Sequence, residues 1–157
     1  MMRKIRFARP LAMIGVIAAA PFLSAAAPAK DAASGAVVID ISNLRSTKGV
    51  VLACMTTNSK VFPRCREDKN SYRAVVKAGA AKKLVFKNVK PGRYAIALLH
   101  DENNNGKADR AFGMMPKEGF GFSRDAKVRM GPPNFKSAAF DYAGGGKAMK
   151  IKMRSLL

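Results

Sequence analysis

Tyr94-Ala95-Ile96-Ala97-Leu98-Leu99 runs directly into His100-Asp101-Glu102-Asn103-Asn104-Asn105-Gly106-Lys107-Ala108-Asp109, a short apolar stretch ended by a polar turn. So brief a run of aliphatic and aromatic residues, closed by Asn and Gly, reads as a β-strand and its connection. The pattern repeats along the chain. Residues 36–41 (Ala36-Val37-Val38-Ile39-Asp40-Ile41), 49–54, 72–76, 83–86, 138–142 and 148–153 are similar runs, each bounded by Gly, Pro, Asn or lysine-rich segments. The last alternates apolar residues with Lys150 and Lys152, and Gly144-Gly145-Gly146 before it predicts a hairpin turn. About seven short strands at this spacing predict an all-β fold, a two-sheet antiparallel sandwich of immunoglobulin-like or transthyretin-like type. No helix of ordinary length and no tandem repeat is expected.

The turn itself carries chemistry. Asp101, Asn103, Asn105, the Lys107 carbonyl and Asp109 fall on alternate positions with Gly106 sixth, which matches the front half of a calcium loop. Where an EF-hand places a bidentate Glu, at its twelfth position, this chain has Phe112, so the ligand set is incomplete. Glu118, the one acid of the following segment before Asp125, is the residue to supply the missing oxygen. Asn and Asp side chains also bond their own backbone two residues on, so a self-satisfied turn without an ion is the competing reading.

The first residues place the protein. Arg3, Lys4, Arg6 and Arg9 precede an apolar run from Leu11 to Leu23 and the small residues Ser24-Ala25-Ala26-Ala27, the pattern of a secretory signal peptide over residues 1–27. A membrane span wants about 18 or more apolar residues, and Pro21 interrupts this run, so no transmembrane segment is expected after cleavage. Residues 28–35 read as a mobile small-residue linker, and residues 36–157 as one β-sandwich domain of a periplasmic or secreted protein. Four of the 29 Lys and Arg residues lie in the leader, leaving 25 against 10 acids, a net +15. Such a surplus attracts anionic envelope components: lipid headgroups, lipopolysaccharide or acidic glycans. The cations are scattered and not interleaved with aromatics, which argues against a nucleic-acid partner.

Cys54 and Cys65, exported into an oxidising compartment, predict a disulfide closing the Pro- and Asn-containing loop between them. Their spacing is not that of a redox-active C-x-x-C pair. From Gly113 to Phe135, Gly119-Phe120-Gly121-Phe122-Ser123 and Gly131-Pro132-Pro133-Asn134-Phe135 alternate aromatics with Gly and Pro, so a long ordered loop is expected, its phenylalanines capping the core or lining a site.

Pro91-Gly92-Arg93-Tyr94-Ala95-Ile96-Ala97, His100-Asp101-Glu102-Asn103-Asn104-Asn105-Gly106-Lys107 with Asp109, Pro116-Lys117-Glu118-Gly119-Phe120-Gly121-Phe122-Ser123 and Gly131-Pro132-Pro133-Asn134-Phe135, in that order, resemble the exported bacterial family called domain of unknown function twenty-one forty-one. The resemblance covers most of the mature chain and implies a small periplasmic or secreted β-sandwich with no established activity. Met114-Met115 before Pro116 departs from the small or aliphatic residue expected there.

Two functional classes follow. The first is a noncatalytic binding or envelope-associated module with a calcium-stabilised loop and a basic surface for anionic partners. The second is a small metal-dependent or acid/base hydrolase using His100, Asp101 and Glu118. No nucleophile elbow, H-E-x-x-H, P-loop or dinucleotide fingerprint occurs in the sequence, which favours the first.

Overall fold

The computed structural model describes residues 35–111 and 115–156; the segment read as a signal peptide, most of the segment read as a linker, Phe112, Gly113, Met114 and Leu157 lie outside the described residues. Two sheets form the body. One is ordered β10-β1-β4, from β1 (Gly35–Ser42), β4 (Lys83–Val89) and β10 (Gly146–Lys152). The other is ordered β3-β2-β5-β8, from β2 (Val50–Thr56), β3 (Tyr72–Lys77), β5 (Gly92–Asp101) and β8 (Gly119–Phe122). A short β9 (Phe140–Tyr142) joins the first residues of β5 on the edge that β8 occupies further along. β6 (Arg110–Ala111) and β7 (Met115–Pro116) make a small separate ribbon.

All seven expected strands are present, and the all-β sandwich stands. Strict alternation makes it close. On β1, Val37, Ile39 and Ile41 point inward; on β4, Leu84 and Phe86; on the facing sheet Val51, Ala53 and Met55 of β2 meet Tyr94, Ile96 and Leu98 of β5. Each large side chain so buried contributes roughly 1.5–3 kcal/mol. A second apolar cluster lies on the outer side of the larger sheet, where Cys54, Ala97, Phe120 and Phe122 are covered by Phe62, Ala126 and Ala138. β2 and β5 are therefore buried on both faces. Cys54 and Cys65 are bonded, with Cα atoms 5.8 Å apart, so the disulfide fastens this outer layer to β2.

Three expectations need correction. Residues 119–122 are a strand: Ala97↔Phe122 and Leu99↔Phe120 are in antiparallel register. The alternation serves two faces, with the phenylalanines entering the outer cluster and the glycines facing the tail of β10. A Cβ on Gly121 would stand 2.8 Å from Ile151 Cγ2 and 3.0 Å from Met153 Sδ, so only glycine admits that approach. Gly144-Gly145-Gly146 is not a hairpin, because β9 and β10 belong to different sheets; left-handed Gly144 (φ 101°) and Gly145 (φ 80°) carry the chain between them. And the sandwich is not wholly antiparallel, since β1 and β10 pair in parallel from Ala36↔Gly146 to Ser42↔Lys152. The only α-helix among the described residues is one turn, α1 (Phe135–Ala138), capped by the Asn134 side chain; it takes up Ala138, placed in the last-but-one strand by sequence. No helix of the described residues is long and apolar enough to cross a membrane.

Candidate metal centre

β5 delivers its last two residues, His100 and Asp101, buried at the end of the larger sheet. Asp101 is 1% exposed. Its carboxylate folds the loop over itself: Oδ1 accepts from the Asn105 N–H at 3.1 Å and Oδ2 from the Gly106 N–H at 2.8 Å. Gly106 adopts φ 76°, the left-handed turn that the sequence pattern demanded of it. Asn103 Oδ1 accepts from the Asn105 N–H (3.1 Å), and Asn105 Oδ1 from the Lys107 N–H (2.8 Å). Both are turns in which an Asn mimics backbone. The two amide nitrogens then converge on Asp109, Asn103 Nδ2 donating at 2.7 Å and Asn105 Nδ2 at 3.0 Å to each oxygen. Those donors, Asn105 first, hold the Asp109 carboxyl below its usual range.

The β6–β7 ribbon brings the chain back. Lys117 N–H donates to the Asp109 carbonyl at 3.0 Å, and Glu118 Oε2 accepts from the Asp109 N–H at 3.2 Å. Glu118, far from Asp101 in sequence, is thereby set beside the loop. It is 4% exposed, and its Oε1 has no hydrogen-bond partner among the described residues. Burial pushes its carboxyl up, and the nearby charges of Asp101 and Asp109 push the same way; the N–H groups of Asp109 and, more weakly, Glu102 oppose them.

Of the residues singled out by sequence, Asp101, Asn103, Asn105, Asp109 and Glu118 come together. Lys107 is tied in through its N–H, while the pattern assigns its carbonyl. No group of three or more His, Cys, Asp or Glu side chains among the described residues is placed to hold a metal by itself. Any ion here would rest on carboxylate and amide oxygens together, which suits a hard, irregularly coordinated cation such as calcium and not a thiol- or imidazole-seeking metal. The acceptor count allows it. A carboxylate offers about four lone-pair sites and an amide oxygen two, and Asp101, Asn103 and Asn105 engage only part of theirs.

Sequence reasoning missed the groups that brace the loop from outside. Arg45 donates to Glu102 Oε2 from Nε (3.1 Å) and Nη2 (2.5 Å), and from Nη2 to the Lys117 carbonyl (2.7 Å), clasping the outgoing and returning arms. Ser46 Oγ donates to Glu102 Oε1 at 2.6 Å. Arg45 and then Ser46 draw the Glu102 carboxyl down to about 2. Arg66, next to disulfide-bonded Cys65, donates from Nη1 to the Gly106 carbonyl at 3.0 Å. These contacts span 57 and 40 residues, and no local signal could announce them.

His100 is fully buried, its Nε2–H donating to the Lys48 carbonyl at 2.9 Å. Nδ1 lies 4.0 Å from Glu102 Oε1 and has no hydrogen-bond partner among the described residues. The imidazole thus faces protein on all sides and ties the end of β5 to the chain before β2.

No curated protein and no solved structure matches the chain. A family model does match, from the middle of β1 to the end of β10, and with residues 39–151 accounted for the chain belongs to the bacterial family described as "Uncharacterized protein conserved in bacteria (DUF2141)".

Proposed function

We propose that this protein is an exported, noncatalytic binding module whose Asp101–Asp109 loop takes up calcium, with Glu118 closing the site, and whose positive charge engages an anionic envelope component. The observation that carries the calcium reading is Glu118 Oε1: a buried carboxylate oxygen with no well-formed hydrogen bond among the described residues, the Glu102 N–H acting on this carboxyl only weakly, held beside two further carboxylates. Buried acids normally find donors or a cation, because an uncompensated charge away from water is costly. A divalent ion shared between Glu118 and the carboxylate and amide oxygens of the loop supplies that compensation. Arg45 and Arg66 hold the scaffold, and they also lower the local negative potential. The affinity expected is that of extracellular modules, on the order of 10⁻⁴ to 10⁻³ M.

The hydrolase reading is disfavoured by His100. A general base must reach a substrate proton, and this ring is buried with one nitrogen spent on a backbone carbonyl.

Thermal melting tests the proposal. A ligand that binds only the folded state raises its stability by RT ln(1 + [L]/Kd), so calcium at 10 to 100 times Kd should raise Tm by roughly 4–10 °C over the chelator-treated protein. Asp101→Ala should melt at one temperature in either condition. Identical wild-type curves in chelator and in calcium would remove the metal from the account.

A further inference from the structure

The segment from Ser123 to Ser137 is anchored on one side and charged on the other. Ser123 is fully buried and doubly bonded, its Oγ accepting from the Ile96 N–H (2.9 Å) and donating to the Ala138 carbonyl (2.6 Å). Arg124 Nη1 donates to the Ala139 carbonyl at 3.2 Å, and Asp125 Oδ1 accepts from the Lys152 N–H at 3.1 Å. Ala126, Val128, Phe135 and Ala138 pack into the outer apolar cluster. Arg124 and Asp125 both hold left-handed backbone, at φ 58° and 48°, a conformation disfavoured for residues with side chains. The surrounding bonds enforce it.

So tethered, the segment turns Lys127, Arg129, Met130 and Lys136 outward, all exposed. Met130 is wholly solvated, the most exposed large apolar side chain among the described residues. Arg124, Lys127, Arg129, Met130 and Asn134 border a groove of about 680 Å³. The one acid of the segment, Asp125, is already countered by Arg154, 3.9 Å away. What remains is a positive tip, anchored at its base, that carries an uncovered thioether side chain.

From this we infer that the tip is the surface that docks the protein on an anionic lipid leaflet, the cations meeting phosphate groups and Met130 entering the boundary with the acyl chains. The inference rests on the anionic-partner half of the proposed function and names its site and partner. Charge complementarity selects a negative surface. The exposed methionine selects one with an apolar layer beneath the charge, which a free phosphate or a soluble glycan does not offer.

Vesicle co-sedimentation of the full exported protein tests it, with chelator present throughout so that calcium cannot bridge protein and lipid. Binding is expected to vesicles of phosphatidylcholine with phosphatidylglycerol, to be absent from phosphatidylcholine alone, and to fall at high salt. Lys127→Glu with Arg129→Glu should weaken it by at least about tenfold. Met130→Ser, which leaves the charge untouched, should weaken it several-fold, and both variants should keep the wild-type circular dichroism. The comparison pair is Lys83→Glu with Lys87→Glu on β4, expected to lose far less. An equal loss from that pair, or an indifferent Met130→Ser, would overturn the docking tip in favour of diffuse attraction. Capture of a soluble acidic glycan with no vesicle binding would overturn the lipid assignment and leave the anionic-partner reading standing.

Discussion

Two connections of this sandwich keep their shapes by opposite means. The Asp101–Asp109 loop is bonded largely to itself: its acids and amides satisfy neighbouring backbone, while Arg45, Ser46, Arg66, Lys117 and Glu118 reach in from elsewhere. The Ser123–Ser137 segment is bonded to the body, through Ser123, Arg124 and Asp125 and through apolar residues set into the outer cluster. A loop that spends its side chains on its own backbone has oxygens facing inward, where a cation can gather them. A loop held from beneath has its side chains free to meet something outside.

The contrast can be broken at its root. Phe122 sits in the outer cluster with its ring centroid 6.0 Å from that of Phe62, and Phe122→Ala should cost about 3–5 kcal/mol in urea denaturation, because the collapse it leaves undermines the anchored segment. Replacing Cys54 and Cys65 together by Ala should cost about 3 kcal/mol by the same measurement. It should also release Arg66 from Gly106, so hydrogen exchange at the Asn105 and Gly106 amides should quicken while exchange at Ile96 changes less.

A smaller effect follows from acid. Glu102 has its folded pKa drawn from 4.5 to about 2, so its pairing with Arg45 contributes stability that is fully present above about pH 4.5 and is lost as the pH falls toward 2. Discounted for its partial exposure, the contribution is about 1–2 kcal/mol. Arg45→Ala should lower stability by that amount at neutral pH and flatten the acid limb between those two values, as followed by urea midpoints. An acid limb unchanged in the variant would detach Arg45 from the stability of the loop.

Much of this was legible in the chain. Seven strands announced themselves because alternation and turn residues act locally, and the loop was legible for the same reason, its Asx turns being set by spacings of two. Gly119-Phe120-Gly121-Phe122 was not, since glycine signals backbone freedom in a sequence, and here it marks the close passage of Ile151 and Met153. Which sheet received β9 and which β10 depended on partners distant in sequence, so three glycines looked like a hairpin and are a crossing. That Glu118 would stand beside the loop was legible, and its bond to the Asp109 N–H puts it there; Arg45 and Arg66 were not foreseen, because a guanidinium reaching across 57 or 40 residues leaves no trace in its own neighbourhood.

The central claim is that the self-bonded loop is completed by a cation on Glu118. Isothermal titration of calcium into the protein, run beside Glu118→Gln, tests it most directly. The account predicts one site with Kd on the order of 10⁻⁴ to 10⁻³ M in the wild type and at least about tenfold weaker binding in the variant. Equal calcium affinity in the two proteins, or no saturable heat in either, would contradict it.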